Sequence, residues 1–392
     1  MRLIHTSDWH LGRTLAQTSL LDAQRHFLDW LLALAVEHGV DAVLVSGDVY
    51  DRAVPPTDAV RLLDHAFVSF AGAGIPLVVV SGNHDSAVRL GFGRELSARS
   101  GVHLRTSVAE IDVPLVLKDE HGPVGIYGIP YLLPDAAMAE LGTERSHAAV
   151  LGAAVGRIRA DATERGIDRT VVLSHAFVTG SAASEVSDSE RDVRVGGIGD
   201  APASVFDGLS YVALGHLHRP QQVRLEGSAT RLRYSGSPLA FSFSERDDTK
   251  SVVLLDLGPD GVEEITTIPT PVPRPLRQVT GRLAELLERA VTDLAHLAES
   301  WVKVVLTDVS RPVNPMDRLR EVWPHTLTID FRPEGERIGT PADLERLART
   351  TDPVEVCGYF VEYVDGAEPT DAERAVLRDA VERAQRHAEA SD

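Results

Sequence analysis

Five times in the first 220 residues a short apolar run ends in a small or turn-forming residue and then in Asp, Asn or His. Leu3-Ile4-His5 leads into Thr6-Ser7-Asp8-Trp9-His10, and residues 42–45 lead into Ser46-Gly47-Asp48. Residues 77–80 lead into Ser81-Gly82-Asn83-His84-Asp85, residues 171–173 into Ser174-His175, and residues 211–214 into Gly215-His216-Leu217-His218. The groups that would converge are Asp8, His10, Asp48, Asn83, His175, His216 and His218, all oxygen or nitrogen donors. They exceed what one tetrahedral ion needs, so the natural reading is two divalent ions that share a carboxylate, the equipment of metal-assisted hydrolysis. Asp48 is the best bridge, because a single strand-end turn can offer one oxygen to each ion. Hard oxygens mixed with imidazoles suit Mn²⁺; Mg²⁺ is less favoured by so many histidines, and Fe²⁺ also fits. Each piece alone has an ordinary explanation: Gly-Asp after a strand is commonly a turn, and His-x-His on a strand can be two surface imidazoles. The ordered set, every member at a strand end, is what points to a site. His26, His38 and His65 lie in amphipathic helical runs and read as ordinary helix residues.

The elements that must position these groups are legible as runs. Residues 3–5, 42–45, 77–80, 124–127, 171–173, 211–214, 232–234 and 252–255 read as strands, several Val-rich with little alternation, as strands buried on both faces are. Residues 22–38, 58–71 and 147–164 read as amphipathic helices. The alternation predicts a layered α/β domain, in which groups just past the strand ends gather at one edge and rigid strands hold them accurately. The stretch Pro269-Thr270-Pro271-Val272-Pro273-Arg274-Pro275 reads as an extended linker. Beyond it, strands at 276–279, 302–306 and 326–330 and helices at 283–297 and 315–322 predict a small α+β unit. The tail reads as helical, with capping boxes at Thr340-Pro341-Ala342-Asp343 and Thr370-Asp371-Ala372-Glu373. Gly196-Gly197-Ile198-Gly199 reads as a loop. The expected domains are 1–268, 276–335 and 340–392.

Composition narrows the class. A chain of 392 residues, 43% hydrophobic and 25% charged, is ordinary for two or three globular domains. One cysteine, Cys357, excludes intrachain disulfides and cysteine-rich zinc sites. No apolar run is long enough to span a membrane, and the N-terminus has no apolar stretch with a cleavage site, so a cytoplasmic protein is expected. The net charge of −19 speaks against a nucleic-acid binder, although binding depends on the local field and bound divalent ions alter it. Only three lysines, Lys118, Lys250 and Lys303, stand among 39 basic residues.

The motifs Asp8-x-His10, Gly47-Asp48-x-x-Asp51, Gly82-Asn83-His84-Asp85, His175 and Gly215-His216-x-His218 resemble those of the calcineurin-like metallophosphoesterases. Within them the chain is most similar to the SbcD family, the nuclease subunits of bacterial SbcCD complexes. That similarity lies in His5-Thr6-Ser7-Asp8-Trp9-His10-Leu11-Gly12, Gly47-Asp48-Val49-Tyr50-Asp51-Arg52, Ser81-Gly82-Asn83-His84-Asp85 and Ser174-His175-Ala176-Phe177-Val178. It continues in Tyr211-Val212-Ala213-Leu214-Gly215-His216-Leu217-His218-Arg219-Pro220 and Tyr234-Ser235-Gly236-Ser237-Pro238. The resemblance implies a layered β-sandwich flanked by helices, followed by a small α+β capping domain and a C-terminal helical segment. It implies one ion on Asp8, His10, Asp48 and His218 and the other on Asp48, Asn83, His175 and His216, with His84 as proton donor to the leaving oxygen. Asp51 would orient a histidine through its distal N–H, or it caps a turn. The implied activity is a metal-dependent 3′–5′ double-strand exonuclease and single-strand or hairpin endonuclease in DNA end processing, repair, recombination and replication. The implied assembly is a homodimer in a heterotetramer with the SbcC ATPase, acting on double- and single-stranded DNA. The alternatives are a phosphodiesterase for small or cyclic nucleotides and a non-catalytic scaffold.

Arg191, Arg194 and Arg219 are the candidate phosphate contacts. The tail is too acidic for a DNA face, with 13 acids against 6 arginines over 341–392. Val356, Cys357, Phe360, Val361 and Val364 recur there at helical spacing. The stripe either packs on its own domain or, as the resemblance implies, docks the coiled-coil base of SbcC through Val356, Phe360 and Val364.

Overall fold

Strands rich in valine and leucine that lack polar alternation must be covered on both faces. The computed structural model, which describes residues 1–181, 184–190, 200–333, 352–365 and 368–389, covers them by packing two sheets together with helices outside. The chain divides into two compact units, Met1–Pro273 and Arg274–Asp392, with the division inside the proline-rich stretch.

In the first unit the order is β1 (Arg2–Thr6), α1 (Leu21–Glu37), β2 (Ala42–Ser46), α2 (Thr57–Ala73), β3 (Leu77–Val80), β4 (Val102–Arg105), β5 (Leu115–Asp119) and β6 (Gly122–Ile129). There follow α3 (Pro134–Leu141), α4 (His147–Arg165), β7 (Arg169–His175), β8 (Tyr211–Gly215), β9 (Gln221–Val223), β10 (Arg231–Tyr234), β11 (Ser251–Gly258) and β12 (Gly261–Pro269), with shorter turns and helices between. One six-stranded sheet runs β12-β11-β1-β2-β3-β4 and the other β9-β10-β8-β7-β6-β5. β1, β2, β3 and β4 are parallel, as are β6, β7, β8 and β10, so the C-terminal ends of each group share an edge. Leu3, Leu44 and Val78 of one sheet meet Ile126, Leu173 and Ala213 of the other in a single buried cluster. The outer faces pack on α1 and α2 through Phe27, Leu31, Leu62 and Phe70, and on α4 through Val150, Ala154 and Ile158.

His5 ties the sheets together. Its Nε2 donates to the Leu214 carbonyl at 3.2 Å and its Nδ1 accepts from the Tyr211 hydroxyl at 3.0 Å. Burial pushes its pKa down to about 3. Between pH 6.5 and 3 the unfolded chain therefore binds a proton there that the folded chain does not, and stability falls as the pH drops through that window. His5→Gln removes this linkage. In urea melts the stability gap between parent and variant should narrow by about 2 kcal/mol from pH 7 to pH 5. A constant gap would show that His5 is not the neutral strut described.

The second unit begins with β13 (Leu276–Gly281), α5 (Leu283–Ala290), β14 (Trp301–Leu306), α6 (Pro315–Val322) and β15 (Thr326–Phe331), and its three strands are parallel in that order. Leu286, Val302, Val304, Leu319 and Trp323 form its core. The helix expected over 283–297 stops at Ala290, and Ala295–Glu299 is a 3₁₀ helix. The backbone ladder changes there: Thr292 N donates to the Arg289 carbonyl at 3.1 Å and Leu294 N to the same oxygen at 2.9 Å, bonds to the third and fifth preceding residues in place of the fourth. Two further helices, α7 (Pro353–Asp365) and α8 (Asp371–Glu389), pack together. The capping box at Thr370 forms as expected, with Thr370 N donating to Glu373 Oε2 at 2.7 Å and Glu373 N to Thr370 Oγ1 at 3.3 Å. The box at Thr340, the boundary near 340 and the glycine cluster at 196–199 lie outside the described residues. Among those residues no helix is long and apolar enough to cross a membrane.

Candidate metal centre

The site begins as a backbone problem. Among the described residues only seven non-glycines have positive φ, and four of them are Asp8 (54°), His10 (44°), Asp48 (47°) and His216 (114°). Such backbone costs about 1–3 kcal/mol per residue and persists only where its surroundings impose it. Here the surroundings are the two loops past β1 and β2. Asp8 N donates to Gly47 O at 3.0 Å, His10 N to Asp48 O at 2.9 Å, and Leu11 N to Val49 O at 2.9 Å. From α1, buried Gln24 donates through Nε2 to the His10 carbonyl at 2.7 Å and accepts from Gly12 N at 3.1 Å. Close approach also dictates glycine at two positions. A Cβ on Gly82 would lie 2.1 Å from Asp48 Oδ1, and one on Gly47 would lie 2.3 Å from His175 Nδ1.

All seven candidate ligands come together. Donor atoms of Asp8, His10 and His218 lie within 4.8 Å of one another, as do those of Asp8, Asp48 and His175. His10 Nε2 is 3.1 Å from His218 Nε2 and 3.6 Å from Asp48 Oδ2. On the other side, His175 Nε2 is 3.6 Å from the same Asp48 oxygen and 2.8 Å from Asn83 Oδ1, which His216 Nδ1 approaches at 3.2 Å. The set thus has two halves that meet at Asp48. Its two carboxylates and four imidazoles are at most 4% exposed, while Asn83 is half-buried.

The electrostatics of the set follow from its burial. Burial, with Asp48 as neighbour, pushes the Asp8 carboxyl well up, and burial pushes His10, His175, His216 and His218 down. Among the described residues no lysine or arginine pairs with Asp8 or Asp48, and His10 Nδ1 and Asn83 Nδ2 have no hydrogen-bond partner. Two buried carboxylates among neutral imidazoles are costly unless a cation joins them. The donor set therefore fits divalent ions, and it is already oriented for them. His175 Nδ1 donates to Ser46 O at 2.9 Å, which leaves Nε2 as the free donor.

His84 borders this set, with its ring 4.8 Å from that of His10. Its main-chain N–H donates to Asp48 Oδ1 at 2.8 Å, and its Nδ1 donates to the Asp51 carbonyl at 2.8 Å. Asp51 thus orients a histidine through its backbone oxygen, whereas its carboxylate stands 3.6 Å from His10 Nδ1 and is engaged by Arg13 at 3.3 Å. Arg219 already donates to Asp248 at 3.1 Å, Glu185 at 3.0 Å and the Ser244 carbonyl at 3.2 Å, three of its five N–H groups, so its charge is shared with two carboxylates. Arg191 and Arg194 lie outside the described residues. On α7, Phe360 is 65% and Val356 36% exposed, whereas Val361 lines a cleft with Val376 and Leu377 of α8; the side chain of Val364 is outside the described set.

Several residues of the site escaped the sequence reading. Asp85 accepts from Gly82 N at 2.9 Å, Val49 N at 3.0 Å and Tyr50 N at 2.8 Å, and so staples the Asn83 turn to the Asp48 turn. Its place in Gly82-Asn83-His84-Asp85 was the available signal. Burial, with Asp48 nearby, pushes its pKa up to about 7. Ser189, Glu190, Glu245 and Lys250 surround His218 and come from loops far apart in sequence, where no local pattern announces them.

A family model described as calcineurin-like phosphoesterase matches residues 1–220. A second, SbcD_C, described as the type 5 capsule protein repressor C-terminal domain, matches residues 272–364. Among solved structures, TT1561 of Thermus thermophilus is 17% identical over 68% of this chain and 98% of its own, with a TM-score of 0.41. A dimetal phosphatase from Danio rerio is 12% identical over 69% of this chain and 99% of its own, with a TM-score of 0.41. The calcineurin-like phosphoesterase YfkN from Bacillus subtilis is 12% identical over 69% of this chain and 90% of its own, with a TM-score of 0.35.

Proposed function

The chain belongs to the calcineurin-like phosphoesterases, and from that premise we propose that it is a DNA nuclease of the SbcD type working with an SbcC ATPase in DNA end processing. The observation that carries this reading is the pairing on one chain of the phosphoesterase match over 1–220 with the SbcD_C match over 272–364, which a phosphodiesterase for small nucleotides has no need of. The proposed activities are 3′–5′ exonuclease on double strands and endonuclease on single strands and hairpins, in the cytoplasm, by a homodimer.

Asp8, His10, Asp48 and His218 would hold one divalent ion, and Asp48, Asn83, His175 and His216 the other, with Mn²⁺ as the best match to the mixed donors. When bound, such a pair supplies Lewis-acid activation and charge neutralisation to phosphodiester hydrolysis. The chain supplies the remainder. Asp48 joins the two halves, and the Asn83 oxygen faces both His175 and His216. His84 is held by Asp51 O at Nδ1, so Nε2 is the atom from which a protonated ring gives its proton to the leaving oxygen.

The test is cleavage of linear, hairpin and single-stranded DNA with Mn²⁺ or Mg²⁺, with and without the ATPase. Mn²⁺-dependent cutting that the ATPase stimulates is expected. Hydrolysis of cyclic nucleotides alone, with DNA left intact, would overturn the reading. For the partner, the exposed face of α7 is the proposed contact. Phe360→Glu should abolish co-purification with the ATPase and leave thermal melting of the lone chain unchanged, because Phe360 is already 65% exposed. A sharp drop in the melt would instead place the stripe in the chain's own core.

A further inference from the structure

The residues behind His218 form a chain of hydrogen bonds with a defined direction. Lys250 Nζ, at 3% exposure for the residue, donates to Glu245 Oε2, to the His218 carbonyl at 2.9 Å and to Ser237 Oγ at 3.1 Å. Glu245 is wholly buried, and its ammonium partner keeps it a carboxylate, which can only accept. The single proton of Ser189 Oγ therefore goes to Glu245 Oε1. That leaves Ser189 Oγ only lone pairs for its other two neighbours, Ser187 Oγ at 2.9 Å and His218 Nδ1 at 2.6 Å. His218 must then carry its proton on Nδ1, and its Nε2 is a bare lone pair facing His10.

The same segment also grips the His218 backbone. Glu190 Oε1 accepts from His218 N at 2.6 Å, and its Oε2 accepts from Ser187 N at 3.0 Å. Arg13, stacked over Phe241 with its guanidinium carbon 5.0 Å from the ring centroid, donates to the Ser189 carbonyl at 2.9 Å. Segments from three parts of the chain thus converge on one imidazole.

We propose that segment 187–190, with Glu245 and Lys250, is a positioning device that fixes the tautomer and aim of His218 for a divalent cation, a carboxylate–serine–histidine relay in place of a direct carboxylate–histidine contact. The inference rests on the reading of His218 as a metal ligand and extends it to residues that touch no metal. Loss of such an outer partner typically costs 10–100-fold in metal affinity.

The experiment uses the full chain with Ser189→Ala, Ser189→Thr and His218→Asn. ¹⁵N NMR of the metal-free protein reports the His218 tautomer, Mn²⁺ titration by calorimetry and electron paramagnetic resonance reports affinity and stoichiometry, and thermal melting reports folding. Ser189→Ala should lose the pure Nδ1–H tautomer and weaken one Mn²⁺ site 10–100-fold without lowering the metal-free melting temperature. Ser189→Thr, which keeps the hydroxyl, should restore both. An unchanged tautomer and affinity, or a loss matched by destabilisation that threonine fails to rescue, would overturn the device. If His218→Asn loses one site while Ser189→Ala loses none, only this inference fails. If His218→Asn binds Mn²⁺ like the parent, the metal-centre reading fails and takes the inference with it.

Discussion

Asp48→Asn should release both metal ions, taking Mn²⁺ stoichiometry from two per chain toward zero and hydrolysis with it. The reason is geometric. Asp48 Oδ2 stands 3.6 Å from His10 Nε2 on one side and 3.6 Å from His175 Nε2 on the other, so this single oxygen borders both halves of the donor set. Asparagine keeps the shape, and it keeps an oxygen to accept the His84 N–H now bound by Oδ1 at 2.8 Å. What it removes is charge. With Asp48 neutral, Asp8 is the only carboxylate left among the seven candidate ligands. The loss should exceed the 10–100-fold typical of an outer partner by a wide margin. His218→Asn, which touches one half, should lose a single ion. Metal analysis of the two variants at saturating Mn²⁺ separates these outcomes, and two ions retained by Asp48→Asn would sink the shared-carboxylate arrangement.

His84→Gln should lower kcat by about 10²–10⁴-fold while metal content and DNA affinity stay at parental values. The contact between this residue and Asp48 is made by the main-chain N–H, which the substitution leaves in place. The glutamine amide can also replace the Nδ1 donor to the Asp51 carbonyl. The variant therefore removes the Nε2 atom proposed as proton donor and little else. His84 also has a ring nitrogen within 4.8 Å of His10 and Asp48 donor atoms, so the competing assignment is a ligand. Single-turnover cleavage and Mn²⁺ stoichiometry on the same preparation decide between them. Lost metal makes His84 a ligand, and a native rate removes it from the reaction.

The contrast between what was legible and what was not follows the range of the forces involved. Buried parallel strands must be apolar on both faces, so β1, β2, β3, β7 and β8 stand out in the sequence, and the polar residues that end them are conspicuous by their position. That is why Asp8, His10, Asp48, Asn83, His175, His216 and His218 stand out together in the sequence. The Thr370 capping box was legible for the same local reason, since donor and acceptor are three residues apart. The strands without such a signal are β4, β5, β9 and β12, the four edge strands of the two sheets: β5, β9 and β12 are largely half-buried or exposed, and β4 is a four-residue Val102-His103-Leu104-Arg105 segment, so none carries a strong apolar run. The α5 helix ends earlier than its apolar spacing suggests because Leu294 and Leu297 continue that spacing, while the switch of backbone bonding at Arg289 leaves no mark on periodicity.

What only tertiary structure decided is the direction in which polar groups point and the partners they find. Arg219 looks like a free cation in the sequence, but it pairs with Asp248 and Glu185, 29 and 34 residues away. Asp51 orients its histidine by a carbonyl, an atom every residue has and no sequence distinguishes. The relay behind His218 joins Ser189, Glu245 and Lys250 across two loops, and its proton order follows from a buried ion pair that exists only once the sheets have brought those loops together. Sequence alone determined the donor types and the rigid strands that carry them, because burial and backbone periodicity are local constraints. The position of Asp48 between His10 and His175, the proton on His218 Nδ1 and the pairing of Arg219 depend on contacts between distant segments, because hydrogen bonds and charge pairs depend on geometry within a few ångström.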